Sequence, residues 1–171
     1  MTDEYTSLLN NHTWSLTPLL EGAKVVGRKW LFINKYHADG SFHRHKARLV
    51  AKGFSQIKGC DYNDTYSHVV NPSTIWFVLS HAVSANWPIH QIDVNNAFPN
   101  GDLQKDVDMN QPPGFVSNSP HLVCKLHKAL YTLKQASRSW FQKLSTTLFK
   151  LLVFTLSKVT HLYLFSFIPH T

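Results

Sequence analysis

Lys24-Val-Val-Gly-Arg-Lys-Trp-Leu-Phe-Ile-Asn-Lys-Tyr36, followed by His37-Ala-Asp-Gly40 and Phe42-His-Arg-His-Lys-Ala-Arg-Leu-Val-Ala-Lys52, decides the fold class. The first arm alternates and is rich in Val, Ile, Trp and Phe, the pattern of a half-buried strand. Asp39-Gly40 supplies a tight turn, so the second arm returns beside the first as a long hairpin. Arg44, Lys46, Arg48 and Lys52 fall on alternate positions of the return arm, hence largely on one face. Such a stripe suits contact with phosphates, and it equally suits an edge strand kept from aggregating by its charge.

Outward from the hairpin the reading alternates between helix and strand, giving an α+β fold class. Residues 2–11 form a short helix capped by Thr2, and Asn71-Pro-Ser-Thr opens a second helix that runs to about Asn86. That helix buries Val78, Leu79, Ala82 and Val83. Between the two, residues 55–70 read as an irregular loop containing Gly59, Asp61, Asn63, Asp64 and His68. Pro88 introduces a strand over Ile89–Val94, and Asn100-Gly101 is a turn. Val107–Met109 and Leu122–Leu126 are further strands, separated by the rigid Gln111-Pro-Pro-Gly-Phe115, and Lys134–Leu152 is a long helix.

The chain of 171 residues is long enough for one domain with a core or for part of a larger one, and its 43% hydrophobic and 13% aromatic content argues for packing rather than disorder. Its net charge of +7 is placed unevenly. Residues 1–108 hold ten basic and ten acidic side chains, whereas residues 109–171 hold seven Lys/Arg and no acid. One-sided basicity favours a polyanion, nucleic acid above all, although a solvated basic helix face produces the same composition. Cys60 and Cys124 are too few for a disulfide framework and lack zinc spacing. They fit reduced thiols in an intracellular, cytoplasmic protein. The polar Met-Thr-Asp-Glu-Tyr start carries no signal peptide. Lys150, Lys158 and His161 interrupt the apolar tail, leaving it short of the roughly 18 apolar residues of a membrane helix.

Two constellations could carry chemistry. Asp93 ends an expected strand, with Phe98 five positions later in Gln91-Ile-Asp-Val-Asn-Asn-Ala-Phe98. Two-metal nucleotidyl transfer needs several clustered carboxylates, and one aspartate alone is more ordinarily a turn residue. His43 and His45 share a strand face and could supply two zinc ligands, but no third ligand is evident, so both read as exposed polar positions. No Gly-x-Ser-x-Gly, no phosphate-cradling Gly-rich loop and no Cys–His pairing is present, which removes the usual hydrolase and nucleotidase readings.

The motifs together resemble the reverse transcriptase region of Ty1/copia-type retrotransposon polyproteins. They are Asn11-His-Thr-Trp14, Lys29-Trp30, Lys46-Ala-Arg-Leu-Val-Ala-Lys-Gly-Phe54, the Asp93 motif, Asn100-Gly-Asp-Leu103, Gln111-Pro-Pro-Gly-Phe115 and Leu126-His-Lys-Ala-Leu-Tyr-Thr-Leu-Lys-Gln135. Each is weak alone; in this order and at about these spacings they are specific. The resemblance implies the fingers and part of the palm of a right-handed polymerase, with an incomplete sheet, over residues 1–158. It implies that Asp93 is the first catalytic aspartate and, with the backbone of Val94, a ligand of Mg²⁺. Phe98 takes the place of the aromatic gate against the ribose 2′-OH. Lys46 and Arg48 would hold the incoming triphosphate through charge-assisted bonds. Gln135 would contact nucleotide or template. The implied partners are an RNA template, a DNA primer and a dNTP, and the implied place of the parent element's enzyme is a cytoplasmic virus-like particle.

Departures from the family are equally specific. The family carries its other two catalytic aspartates on a Tyr-x-Asp-Asp hairpin, and no Asp or Glu follows Asp108 here. Phe154–Lys158 still resembles the family; residues 159–171 do not, as after a frameshift and early stop. His68, Trp76, His90, Pro99, Asp108 and Ser137 stand where the family favours other residues. The expectation is a reverse transcriptase fragment that is inactive alone; the alternative is a non-catalytic basic remnant that binds nucleic acid. A third outcome is a chain that never folds stably, because Leu162–Ile168 reads as an aggregation-prone apolar segment.

Overall fold

The structure, a computed structural model, describes residues 1–67, 69–91, 93–94 and 96–152. The expectations for His68 and for residues 153–171 lie outside the described residues. The architecture is mixed α and β, with one four-stranded sheet and one two-stranded hairpin. Its elements are α1 (Thr2–Asn10), β1 (Trp14–Pro18), β2 (Val25–Val26), β3 (Arg28–Tyr36), β4 (Phe42–Ala51), α2 (Pro72–Ser84), β5 (Asp102–Met109), β6 (Leu122–Lys128) and α3 (Ala136–Leu152).

The hairpin is β3 against β4, antiparallel from Arg28 opposite Ala51 to Lys35 opposite Arg44. Its first arm is shorter than the alternation predicts. The expected strand over Lys24–Tyr36 divides at Gly27, and β2 leaves to pair in parallel with β5 in the other sheet. Gly27 permits the division because it lies against Lys52: its carbonyl accepts from the Lys52 N–H at 2.7 Å, and a Cβ there would stand 2.9 Å from Lys52 Cδ.

The four-stranded sheet runs β1-β6-β5-β2. Trp14 and Val107 both face Leu126 of the central β6, and Cys124 lies opposite both Leu16 and Met109. The sheet, α1, the end of β4 and the β6–α3 connection enclose one core. Leu8, Val26, Leu49, Met109, Cys124, Ala129 and Leu130 are its fully buried members. Burying each large aliphatic side chain there contributes about 1.5–3 kcal/mol. Burial also pushes the Cys124 thiol up to about 12, so it stays protonated and packs as a small apolar group.

Four local expectations are corrected. Thr2 is the first residue of α1 rather than its cap; Met1 holds the cap position and no side chain closes that helix start. In α2, which Asn71 caps by accepting from the Ser73 N–H at 3.0 Å, Ala82 is buried but Val83 is 65% exposed. Trp76 and Phe77 are also exposed, because the sheets cover α2 only lightly. Ile89–Val94 is not a strand among its described residues. Alternation alone does not make a strand, and no described ladder offers this segment a partner. Finally, α3 begins at Ala136, two residues after the expected Lys134, because the side-chain amide of Gln56 accepts from the Lys134 N–H at 2.8 Å and holds it in the preceding turn.

Candidate nucleotide-binding site

Arg48 and Phe98, separated by fifty positions in sequence, come together around Tyr131. Tyr131 belongs to the connection between β6 and α3, which is docked onto the end of β4. The Ala51 N–H donates to the Tyr131 carbonyl at 3.1 Å, and the Thr132 hydroxyl donates to the Ala51 carbonyl. Thr132 reaches this position with φ at 70°, a conformation rare for a β-branched residue, so the surrounding packing holds it there. Gly53 lies beneath the connection, against the Thr132 carbonyl.

The Arg48 guanidinium carbon lies 5.2 Å from the centre of the Tyr131 ring, a cation–π contact. Phe98 meets the same ring edge-on, with centroids 5.7 Å apart and planes at 90°. The Tyr131 hydroxyl reaches Asn96 Oδ1 at 3.4 Å, and Asn96 Nδ2 donates to Ser7 Oγ of α1 at 3.2 Å. Pro99 is buried beside Phe98. It is accommodated because the short 3-10 turn Phe98–Asn100 closes through the Asn100 and Gly101 N–H groups, not through residue 99.

A carboxylate that carried no signal in the sequence completes the cluster. Glu4 of α1 lies near Lys46 and Arg48, yet its Oε1 is buried without a hydrogen-bond partner, as is Arg48 Nε. Burial raises the Glu4 carboxyl above its ordinary range, outweighing the attraction of Lys46, Arg48 and the amino terminus. Burial, followed by repulsion from Arg48, lowers Lys46, and burial, followed by the Glu4 charge, raises Tyr131. Among the described residues neither Lys46 nor Arg48 forms an ion pair within 4.0 Å. The result is a half-buried pair of cations with one poorly satisfied counter-charge.

The raised carboxyl has a stability consequence. A raised acid stabilises the fold only while protonated; that contribution is full below its ordinary value of 4.5 and is lost as pH rises through the higher folded value. Glu4→Gln is therefore expected to raise the melting temperature at pH 8 by roughly 2 °C, with the gain disappearing near pH 4. Thermal melts of both proteins at the two pH values check this; equal melting at pH 8 contradicts it.

The other expected site residues are placed differently. Asp93 and Val94 are both exposed. Among the described residues no group of three or more His, Cys, Asp or Glu side chains converges to hold a metal. This donor set does not fit a two-metal centre, which needs several carboxylates around each pair of ions. Gln135 is buried: it accepts from Gln56 Nε2 at 3.1 Å and donates to the Asp61 carbonyl at 3.3 Å, tying the loop after β4 to the start of α3. His43 packs against His37 with ring centroids 4.4 Å apart, and His45 Nδ1 shares a 2.8 Å hydrogen bond with Asn34 Oδ1. Gln111-Pro-Pro-Gly-Phe115 acts as a brace. Arg28 Nε donates to the Gln111 carbonyl at 2.6 Å, Trp30 Nε1 donates to the Pro113 carbonyl at 2.9 Å, and Phe115 stacks on Tyr5 at 4.1 Å.

Among the described residues, folding pairs three cations of residues 109–171 with carboxylates. Lys125 pairs with Asp106 at 2.8 Å, Lys143 with Asp102 at 2.6 Å and Arg138 with Asp64 at 3.1 Å. Each joins a cation of the acid-free portion to a carboxylate from residues 1–108. No helix among the described residues is long and apolar enough to cross a membrane.

Comparison with known proteins agrees with the sequence motifs. The family model described as reverse transcriptase (RNA-dependent DNA polymerase) matches residues 11–166. The Retrovirus-related Pol polyprotein from transposon RE1 of Arabidopsis thaliana is 51% identical over 146 residues, covering 84% of this chain and 10% of that protein. That from transposon RE2 of the same plant is 49% identical over 150 residues, covering 86% and 10%. The Retrovirus-related Pol polyprotein from transposon TNT 1-94 of Nicotiana tabacum is 44% identical over 144 residues, covering 84% and 11%. The chain thus spans about a tenth of the length of these relatives. No solved structure matches it. With the motifs in register and a family match over most of its length, the chain belongs to the reverse transcriptase family of copia-type transposon Pol polyproteins.

Proposed function

We propose that the chain represents the fingers and the first part of the palm of a right-handed reverse transcriptase, and that it has no polymerase activity by itself. The observation that carries this reading is the meeting of Arg48, from the hairpin, and Phe98, from the segment after Asp93, on the ring of Tyr131. In this reading Lys46 and Arg48 receive the triphosphate of a dNTP and Phe98 bars the ribose 2′-OH. Asp93, with the Val94 carbonyl, would supply only part of the ligands of a Mg²⁺ ion, whose chemistry in the family would be to polarise the reacting phosphate. Gln135 acts indirectly, by fixing the loop and helix start beside the site.

Inactivity follows from carboxylate number. A single strand-end or loop aspartate cannot hold two divalent ions, and the sequence has no acid after Asp108. Primer extension on a poly(A)–oligo(dT) template with Mg²⁺ or Mn²⁺ is expected to give no product. Elongation that Asp93→Asn abolishes would overturn the proposal. The alternative of a non-catalytic basic remnant that binds an RNA template or DNA primer draws less support, since Lys125, Arg138 and Lys143 are engaged with carboxylates.

A further inference from the structure

We propose that Tyr131 is the positioning residue that couples triphosphate binding to sugar selection: one ring supports Arg48 on its face and fixes Phe98 through an edge contact. This rests on the proposed roles of Arg48 and Phe98 and goes beyond them, because it assigns a role to the Tyr131 ring that both of them contact.

The geometry gives the ring two independent duties. Among the described residues Arg48 has a buried Nε with no hydrogen-bond partner and forms no ion pair, and the 5.2 Å contact with the Tyr131 ring supports its guanidinium. Phe98 lies at 90° to the same ring, 5.7 Å between centroids, the favourable edge-to-face arrangement. A steric gate works only if its ring cannot turn aside. Phe98 is partly buried against the core, and its ring also meets Tyr131 edge-on.

Tyr131 can bear these loads because its own backbone is clamped. The Ala51 N–H donates to its carbonyl three residues beyond Arg48 on the same strand, so ring and guanidinium are held in a common frame. The phenolic hydroxyl adds only a long 3.4 Å contact to Asn96 Oδ1, so the ring rather than the hydroxyl carries the function. An aromatic ring without a hydroxyl should therefore serve, and a flexible side chain of similar bulk should not.

The test is equilibrium binding of dCTP and CTP, which differ only in the 2′-OH, to the full chain and its variants. Tyr131→Phe is expected to keep both the affinity for dCTP and the dCTP:CTP ratio within about twofold of wild type. Tyr131→Met, which fills the space without a ring, is expected to lose about tenfold in dCTP affinity and to bring the ratio close to one. Circular dichroism and thermal melting establish that each variant is folded, with Tyr131→Leu as a second ring-free variant should Met fail to fold. A folded ring-free variant with wild-type affinity and ratio would overturn the proposal. So would weakened affinity with an unchanged ratio, because sugar selection would then not pass through this ring. Arg48→Gln separates the two levels. If it abolishes dCTP binding while the ring-free variants bind normally, Tyr131 alone loses its role. If it binds dCTP as wild type does, the reading of Arg48 fails and the proposal with it.

Discussion

Gly53→Ala is expected to destabilise the protein by roughly 3–5 kcal/mol, the largest effect of any single methyl group considered in this fold. A Cβ at position 53 would stand 2.0 Å from the Thr132 carbonyl oxygen and 3.0 Å from Leu133 Cα. Both are backbone atoms of the β6–α3 connection, so no side chain can rotate away. The connection must lift from the end of β4, stretching the hydrogen bonds from the Ala51 N–H and the Thr132 hydroxyl. Urea denaturation measures the loss. Gly40→Ala is the control: at φ +84° with nothing within 4 Å, it meets only the left-handed backbone penalty of about 1 kcal/mol. Equal losses for the two variants would show that the connection is not docked as described. Because Tyr131 rides on the connection, any Gly53→Ala protein that remains folded should also lose the support of Arg48.

Leu49→Ala is expected to cost about 2–5 kcal/mol, the range for removing a large aliphatic side chain from a core that cannot collapse fully. Leu49 is wholly buried, sits opposite Trp30 in the hairpin register, and follows Arg48 directly on β4. Its side chain anchors the end of the hairpin to the core shared by α1 and the sheet. A fall in the urea midpoint without a change in slope is the expected signature. A loss below about 1 kcal/mol would mean that the hairpin is not packed through this residue.

The parts of the fold legible in the sequence were those whose signal is local. The hairpin declared itself through alternation and Asp39-Gly40, and the start of α2 through Asn71-Pro72, where the Asn side chain accepts from the Ser73 N–H. The misreadings have one physical cause. Lys24–Tyr36 looked like one strand because alternation continues through Gly27, yet the close approach of Lys52 sends its two pieces to different sheets. Ile89–Val94 has strand composition but no partner among the described residues, and Val83 has the apolar character of a core residue with little packed over it. Burial and pairing are properties of neighbours, which a single segment cannot specify.

The same division holds for the site. Arg48 and Phe98 were visible through the motifs that contain them, and Tyr131 lay unremarked within Leu126–Gln135 because nothing in that stretch says what its ring will touch. Glu4 had no signal, since an acidic residue in the first turn of a helix is ordinarily a solvated partner of the helix dipole.

By itself the sequence determined the family, the long hairpin and the number of carboxylates this chain can offer, because these depend on residue identity, order and local periodicity. Only the tertiary structure decided that Arg48 and Phe98 share one aromatic ring, that Glu4 is buried beside Lys46 and Arg48, and that Lys125, Arg138 and Lys143 are paired with acids. Such contacts join segments far apart along the chain. Their energies depend on distance and burial in the packed state, and no local pattern encodes either.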